Sequence, residues 1–345
     1  MSIRVLVVDD SPTMRGLISA VLSRDPQIEV VGSAGDPYEA REAIKTLLPD
    51  VITLDVEMPR MDGLSFLEKI MTLRPMPVIM VSTLTGEGAY ASVKALSLGA
   101  FDCIAKPANN SAINAFEKLP ELVKAASKAK IVKYRGGPDV AEPLQFTPTR
   151  ETMIAIGSST GGVEALTEVL RRFPENCPAT VITQHMPERF TESFAKRLDG
   201  ICAPGVHEAQ DGMPIQSGNV YIAPGGAHHL TVHRAGGLVC RVQPGPLVNG
   251  HHPSVDVLFS SVAKTIGANA VGAILTGMGR DGAEGLLEMK KAGAQTIGQD
   301  ETSCVVYGMP RAAHEIGATE KEYPIERIAG AILSRCQAGR RQNAA

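Results

Sequence analysis

The sequence predicts an α/β protein of two domains: an N-terminal (βα)5 domain with a parallel sheet, a linker, and a C-terminal doubly wound α/β domain with a small antiparallel insertion. Three observations predict it. Short β-branched runs alternate with amphipathic stretches through residue 120, a basic and then Gly/Pro-rich segment without periodicity comes next over 121–150, and the same alternation restarts at Thr152. A chain of 345 residues is long enough for two such domains, since one domain averages ~150 residues. With 44% hydrophobic and 21% charged residues, two full cores can be built.

In the first domain (residues 1–120) RVLVV, EVVGSA, VITLD, PVIMVS and DCIAK read as strands. Residues 12–24, 36–48, 63–73 and 88–98 repeat apolar positions at helical spacing. Strands separated by helices cannot pair as hairpins; they pair in parallel, with the helices covering both faces. Residues 121–150 carry six basic against three acidic side chains; the first part continues a helix and the rest reads as linker. In the second domain (residues 151–345) TMIAIG, ATVITQH, GNVYIAP, LTVHR, VCRVQ, NAVGAILTGMG and AQTIGQD are the strand candidates. The segment near 215–243 reads as the antiparallel insertion.

Composition excludes several function classes. With no Trp, 4% aromatic residues and a net charge of −3, the chain has neither stacking platforms nor a basic footprint for nucleic acid. The N-terminal apolar run is too short for a signal peptide, and no stretch approaches the ~20 apolar residues of a membrane span. The six cysteines are dispersed without a CxxC pair, as free thiols of a reducing compartment are. We therefore expect a cytoplasmic protein without membrane insertion.

Chemistry gathers at the strand ends, where an open parallel sheet forms its ligand crevice. VVDD ends in Asp9 and Asp10, VITLD in Asp55, the VST strand in Thr83, and IAKP supplies Lys106. Three converging carboxylates repel one another unless a cation joins them, which points to a hard, oxygen-liganded metal such as Mg²⁺. A carboxylate beside such a metal is a competent nucleophile toward a phosphoryl group. In the order and spacing of VDD, LDVEMPRMDG, VST and AKP, the first ~120 residues resemble the receiver domain of two-component response regulators. The resemblance implies that Asp55 is the phosphoacceptor, that Asp9 and Asp10 hold Mg²⁺, and that the Glu57 carbonyl completes the metal shell. It further implies that Thr83 and Lys106 contact the phosphoryl oxygens. One position departs from the pattern: Cys103 stands where receivers usually carry an aromatic switch residue.

The stretch AIGSSTGG (155–162) is compatible with a phosphate-cradling loop, a nucleophile-bearing turn or a plain turn. It lacks the lysine of a P-loop and the spacing of GxGxxG. Its partners favour a nucleophile: ATVITQH ends in His185, and AVGAILTGMGRDG ends in a glycine-rich turn carrying Asp281. A serine hydroxyl becomes nucleophilic when an imidazole takes its proton and a carboxylate fixes that imidazole's tautomer. Ser159, at the start of the next helix, is favoured over Ser158. Backbone N–H groups there, around Thr160, and in the turn around Met278 would hold the oxyanion or wall the site. The pairs His228-His229 and His251-His252 read as loop walls, with no metal and no cofactor needed for hydrolysis. A phosphate- or acidic-ligand binding module, or an esterase with another target, remain alternative readings.

IGSSTGG, QHMP, YIAPGGAHH, HHPSVDVLF and ILTGMGRDGAEG resemble the catalytic domain of the chemotaxis protein-glutamate methylesterases, the CheB family. That resemblance implies Ser159 as nucleophile, His185 as general base and Asp281 as its orienting acid. It implies hydrolysis of γ-glutamyl methyl esters on chemoreceptors, deamidation of receptor glutamines, and a chemotaxis histidine kinase as phosphodonor. A phosphoacceptor domain tethered ahead of an enzyme leads us to expect activation by phosphorylation, through release of a docked, inhibitory receiver.

Overall fold

Five strands of the N-terminal half pair in parallel because each is succeeded by a helix that returns the chain to the same edge. They are β1 (Ile3–Val8), β2 (Ile28–Ala34), β3 (Val51–Asp55), β4 (Val78–Ser82) and β5 (Asp102–Ala105), in the order β2-β1-β3-β4-β5. The intervening helices are α1 (Pro12–Leu22), α2 (Pro37–Leu47), α3 (Gly63–Leu73) and α4 (Gly86–Ser97), and α5 (Leu119–Ala126) comes after β5. Every residue of β3 and β4 is buried, as expected of strands covered on both faces. Local chemistry sets the helix starts. Ser11, Asp36 and Asp62 accept N–H bonds from the first turns of α1, α2 and α3, and Pro12 and Pro37 occupy first-turn positions that need no donor.

The computed structural model describes residues 2–58, 61–83, 85–107, 116–129, 142–148 and 151–337. It divides into two units, Met1–Gly137 and Pro138–Ala345. Of the segment expected as linker, residues 130–141 and 149–150 lie outside the described residues, while α5 takes its first part.

The second unit is built on a seven-stranded sheet, all of whose pairings are parallel. Its first part runs β6 (Met153–Ser158), α6 (Gly162–Leu170), β7 (Ala179–Gln184), α7 (Phe190–Asp199), β8 (Gly205–Glu208), β9 (Asn219–Ile222). A hairpin of β10 (His228–Arg234) and β11 (Leu238–Pro244) is next, then α8 (Val255–Thr265), β12 (Ala270–Ile274), α9 (Ala283–Lys291), β13 (Gln295–Gln299), α10 (Met309–Glu315), β14 (Lys321–Tyr323) and α11 (Ile325–Gln337). The sheet order is β14-β13-β12-β6-β7-β9-β8. From β6 the chain builds outward to one side through β7, and later returns to build the other side from β12. The β6/β12 boundary is therefore the topological switch point, where a crevice opens beyond the strand ends.

The antiparallel insertion is narrower than the sequence reading of 215–243. GNVYIAP contributes β9 to the main sheet, between β7 and β8; among the described strands β10 and β11 pair antiparallel, with an antiparallel bridge from Pro214 to Val239 beside them. Three of the four β9 residues are buried, the pattern of a covered parallel strand rather than of a half-exposed hairpin. Leu258, Phe259 and Val262 of α8 are fully buried, and the same helix carries the hairpin: Ser261 Oγ accepts from the Val232 N–H at 3.0 Å. All six cysteines are free thiols, five of them buried and Cys202 partly so. Among the described residues no helix is long and apolar enough to cross a membrane.

Candidate functional site

The ends of β6 and β7 are tied together by one side chain that the sequence reading passed over. Gln184 accepts from Ser158 Oγ at 2.6 Å and donates to the carbonyls of Ser159 at 2.9 Å and His185 at 3.0 Å. The His185 N–H adds a bond to the Ser158 carbonyl at 3.1 Å. The two serines are thereby distinguished. Ser158 is fully buried at the end of β6 with its hydroxyl committed to Gln184, whereas Ser159 stands one residue beyond the strand and is partly exposed. The glycines after Thr160 serve packing. A Cβ on Gly162 would overlap Gln184 Oε1, so only glycine lets the helix approach that knot.

His185 and Asp281 meet as the sequence predicts: Nε2 of His185 lies 2.8 Å from Oδ2 of Asp281, with both side chains buried. A nitrogen facing a carboxylate carries the proton, so Nδ1 holds the lone pair. Nδ1 is buried and has no hydrogen-bond partner among the described residues, which leaves it as the basic atom of the ring.

Asp281 is surrounded by donors. Beyond His185, its Oδ2 accepts from the Val255 N–H at 2.7 Å, and its Oδ1 from Asn249 Nδ2 at 2.9 Å, Ser254 Oγ at 2.8 Å and the Asp256 N–H at 3.3 Å. Ser254 is the N-cap of α8, so the carboxylate sits on the first turn of that helix, among free N–H groups and the positive end of its dipole. Burial alone would raise its pKa. The bond from His185, with those from Asn249 and Val255, outweighs burial and holds Asp281 well below the usual carboxylate range.

The third strand end supplies the turn around Met278. The Ser159 N–H donates to the Thr276 carbonyl at 3.0 Å, and Thr276 Oγ1 to the Thr160 carbonyl at 3.0 Å, which binds the β6 and β12 ends together. The Gly277 carbonyl accepts from the N–H groups of Gly308 at 3.1 Å and Met309 at 2.8 Å. In a trans peptide the N–H points opposite the C=O, so anchoring this carbonyl turns the Met278 N–H away from residues 308–309. The closeness of Ser159 to this turn is direct: a Cβ on Gly277 would lie 2.8 Å from Ser159 Cβ.

In the first unit, Asp9, Asp10 and Asp55 bring carboxylate oxygens within 4.8 Å of one another. Lys106 Nζ lies 3.0 Å from Asp9 Oδ2 and 2.8 Å from Asp55 Oδ2. One ammonium among three carboxylates leaves an excess of negative charge, and an all-oxygen donor set suits a hard divalent cation; the triad fits a metal site. Burial raises the Asp55 carboxyl to about 6, with Lys106 opposing and Asp9 adding to the rise. The Glu57 N–H reaches Asp55 Oδ1 at 3.3 Å, while its side chain accepts from Thr83 Oγ1 at 3.0 Å. Thr83 also pairs with Thr85 Oγ1, the cap of α4, at 3.2 Å. Cys103 is buried, and burial pushes its thiol up to about 12.

The histidine pairs divide. His229 is buried, with Nδ1 accepting from the Ser254 N–H at 3.1 Å and Nε2 facing the Pro246 carbonyl at 2.8 Å, and His252 Nε2 faces the Gly245 carbonyl at 2.7 Å. His228 is exposed, and His251 stacks on His185. Gln184, Asn249 and Ser254 were not singled out from sequence. A signal existed for Ser254, because Pro-Ser-Val-Asp ahead of an apolar run is a helix N-cap pattern.

The CheB methylesterase family profile matches residues 154–332, and the response regulator receiver domain profile matches 5–116. A protein-glutamate methylesterase/protein-glutamine glutaminase of Agrobacterium fabrum is 60% identical over 96% of this chain and 95% of its own length. One of the same name from Caulobacter vibrioides is 59% identical over 98% and 99%. The crystal structure of the Thermotoga maritima CheB methylesterase catalytic domain superposes with a TM-score of 0.52 at 34% identity, covering 54% of this chain and 99% of that one.

The geometry of the turn and of the buried carboxylate leads to two expected outcomes. In Gly308→Ala the new Cβ would stand 2.6 Å from the Gly277 carbonyl oxygen and 3.2 Å from Met278 Cα. The turn beside Ser159 must shift, and kcat for methyl-ester hydrolysis falls by about 10²-fold, the loss that a positioning error of about 1 Å brings. The second concerns Asp281, whose folded-state pKa is depressed. Its stabilising contribution is complete above the unfolded value of about 4 and is lost as pH falls through the folded value. Urea titrations of wild type and Asp281→Asn from pH 7 to pH 3 will show a stability gap that narrows on the acid side.

Proposed function

Because the chain belongs to the CheB methylesterase family, we propose that Ser159, His185 and Asp281 carry out the hydrolysis by which it acts as a protein-glutamate methylesterase and protein-glutamine glutaminase under receiver control. The observation that carries this reading is the His185–Asp281 bond of 2.8 Å, which leaves Nδ1 basic at the end of the strand that lies beside the one carrying Ser159. We assign residues 1–120 to the receiver, 121–150 to the linker and 151–345 to the esterase.

The Ser159 hydroxyl attacks the γ-carbonyl of a methylated glutamate while His185 Nδ1 takes its proton. The negative charge that develops on the carbonyl oxygen is met by backbone N–H groups at Met278 and Thr160, at the start of α6. Asp281 holds Nε2–H throughout and favours the imidazolium that forms; burial among five donors keeps it ionised. Collapse breaks the C–O bond, and the proton on His185 leaves with methanol. A water then attacks the acyl-serine, again giving its proton to Nδ1, and releases the glutamate carboxylate and the serine. With a glutamine side chain the same steps expel ammonia and give glutamate.

In the receiver, Asp9, Asp10 and Asp55, with the Glu57 carbonyl, would hold Mg²⁺, which supplies charge neutralisation for phosphoryl transfer. Asp55 accepts the phosphoryl group from a chemotaxis histidine kinase, Lys106 pairs with its oxygens, and Thr83 exchanges its bond to Glu57 for one to the phosphate. The substrates are cytoplasmic helices of chemoreceptors, which places the reaction in the cytoplasm.

Ser159→Ala will lower methanol release from methylated receptor at least about 10³-fold while leaving phosphorylation of Asp55 intact; retained release would move the nucleophile elsewhere. Asp55→Asn will keep basal esterase turnover and lose its stimulation by a small phosphodonor such as acetyl phosphate. A stimulated Asp55→Asn enzyme would detach control from this carboxylate.

A further inference from the structure

Between the hairpin and α8, residues Val248 and His251 exchange two backbone bonds, His251 N–H to the Val248 carbonyl at 3.0 Å and Val248 N–H to the His251 carbonyl at 3.3 Å. The residues between them, Asn249 and Gly250, have φ of 51° and 77°. This is a two-residue turn with both central residues left-handed, for which Asn-Gly is the favoured pair. Such a turn has little freedom, so the side chains at its corner and exit are aimed by the backbone.

Both are aimed at the catalytic pair. Asn249 Nδ2 donates to Asp281 Oδ1 at 2.9 Å and to Asp256 Oδ2 at 2.6 Å, bridging two carboxylates. The His251 ring lies face to face on the His185 ring, with centroids 3.7 Å apart and planes inclined by 6°. One short turn thus grips the carboxylate with one residue and the imidazole with another.

We propose that His251 is a positioning residue for ester hydrolysis, its ring stacking on His185 and holding that imidazole with Nε2 on Asp281 and Nδ1 toward the nucleophile, while Asn249 pins the turn to Asp281. The proposal rests on His185 being the general base. An imidazole held by a single hydrogen bond at one nitrogen can still swing out of its plane about the Cα–Cβ and Cβ–Cγ bonds. A flat ring against its face removes that swing, and positioning errors of about 1 Å cost roughly 10²-fold in rate.

The test uses the full-length protein with His251→Ala, His251→Phe and Asn249→Gly, the last keeping a residue that accepts positive φ. Readouts are kcat and KM on methylated receptor, the unfolding midpoint, and ¹⁵N NMR of the His185 ring. His251→Ala is expected to lower kcat about 10- to 100-fold with KM within about twofold, and to broaden or shift the His185 nitrogen signals. His251→Phe, which restores a flat ring, recovers most of the lost kcat. Asn249→Gly lowers kcat as well, and the double variant Asn249→Gly/His251→Ala loses less than the product of the two, because both act through one pair. Wild-type kcat in His251→Ala, or a loss confined to KM, overturns the proposal. Equal losses in a well-folded Phe variant and in the Ala variant overturn it too, and the Phe variant and the His185 spectrum decide the matter should the Ala variant unfold. His185→Gln retaining full turnover would instead sink the general-base reading on which the proposal stands.

Discussion

A single buried charge organises the catalytic unit. Asp281 has 1% of its surface exposed, and an ionised carboxylate taken out of water is costly unless donors replace the water. Five do, and they come from separate segments: the end of β7, the turn at 249, and three consecutive residues opening α8. Satisfying this one group therefore dictates where α8 begins, how the hairpin returns to the sheet and which nitrogen of His185 bears the proton. Removing any one donor leaves the others to hold the charge, but the aim of the imidazole depends on the whole cage.

The two units place similar groups at similar strand ends and tune them in opposite senses. In the first, Asp55 has carboxylate neighbours and a single ammonium, so burial prevails and its pKa rises to about 6. In the second, Asp281 has a helix N-terminus and an imidazole, so hydrogen bonding prevails and its pKa falls. The backbone near each carboxylate makes the difference. Among the described residues it gives Asp55 the Glu57 N–H, whereas the opening of a helix gives Asp281 the Val255 and Asp256 N–H groups and the Ser254 hydroxyl. An oxygen cluster short of positive charge suits a cation and a phosphoryl group; a saturated carboxylate suits steady orientation of a base.

Residues at strand ends were readable from sequence because a parallel sheet sends distant strands to one rim, so Asp9, Asp10, Asp55 and Lys106 could be grouped in the first unit and His185 with Asp281 in the second. The choice of Ser159 over Ser158 rested on its nearness to a helix start, while the structure separates the two by what Gln184 binds. Gln184 carried no signal, since its role exists only when β6 and β7 lie in register. Asn249 and His251 sit in a run that read as a loop wall; Asn-Gly is a favoured pair for a tight turn, but nothing in the chain says which residues such a turn would face. The reach of the antiparallel insertion was overestimated because the alternation in GNVYIAP does not reveal that both of its faces are covered.

The free thiols described for this chain have a practical corollary. Burial keeps Cys103, Cys177, Cys202 and Cys240 near 12, and Cys304 is raised as well, with Cys336 also buried. At neutral pH the five buried sulfurs are protonated and shielded, so electrophilic dyes and spin labels find little to react with besides the partly exposed Cys202. With Cys202 alone replaced, a cysteine engineered onto an exposed position would be labelled selectively, making this polypeptide a ready host for distance-reporting probes.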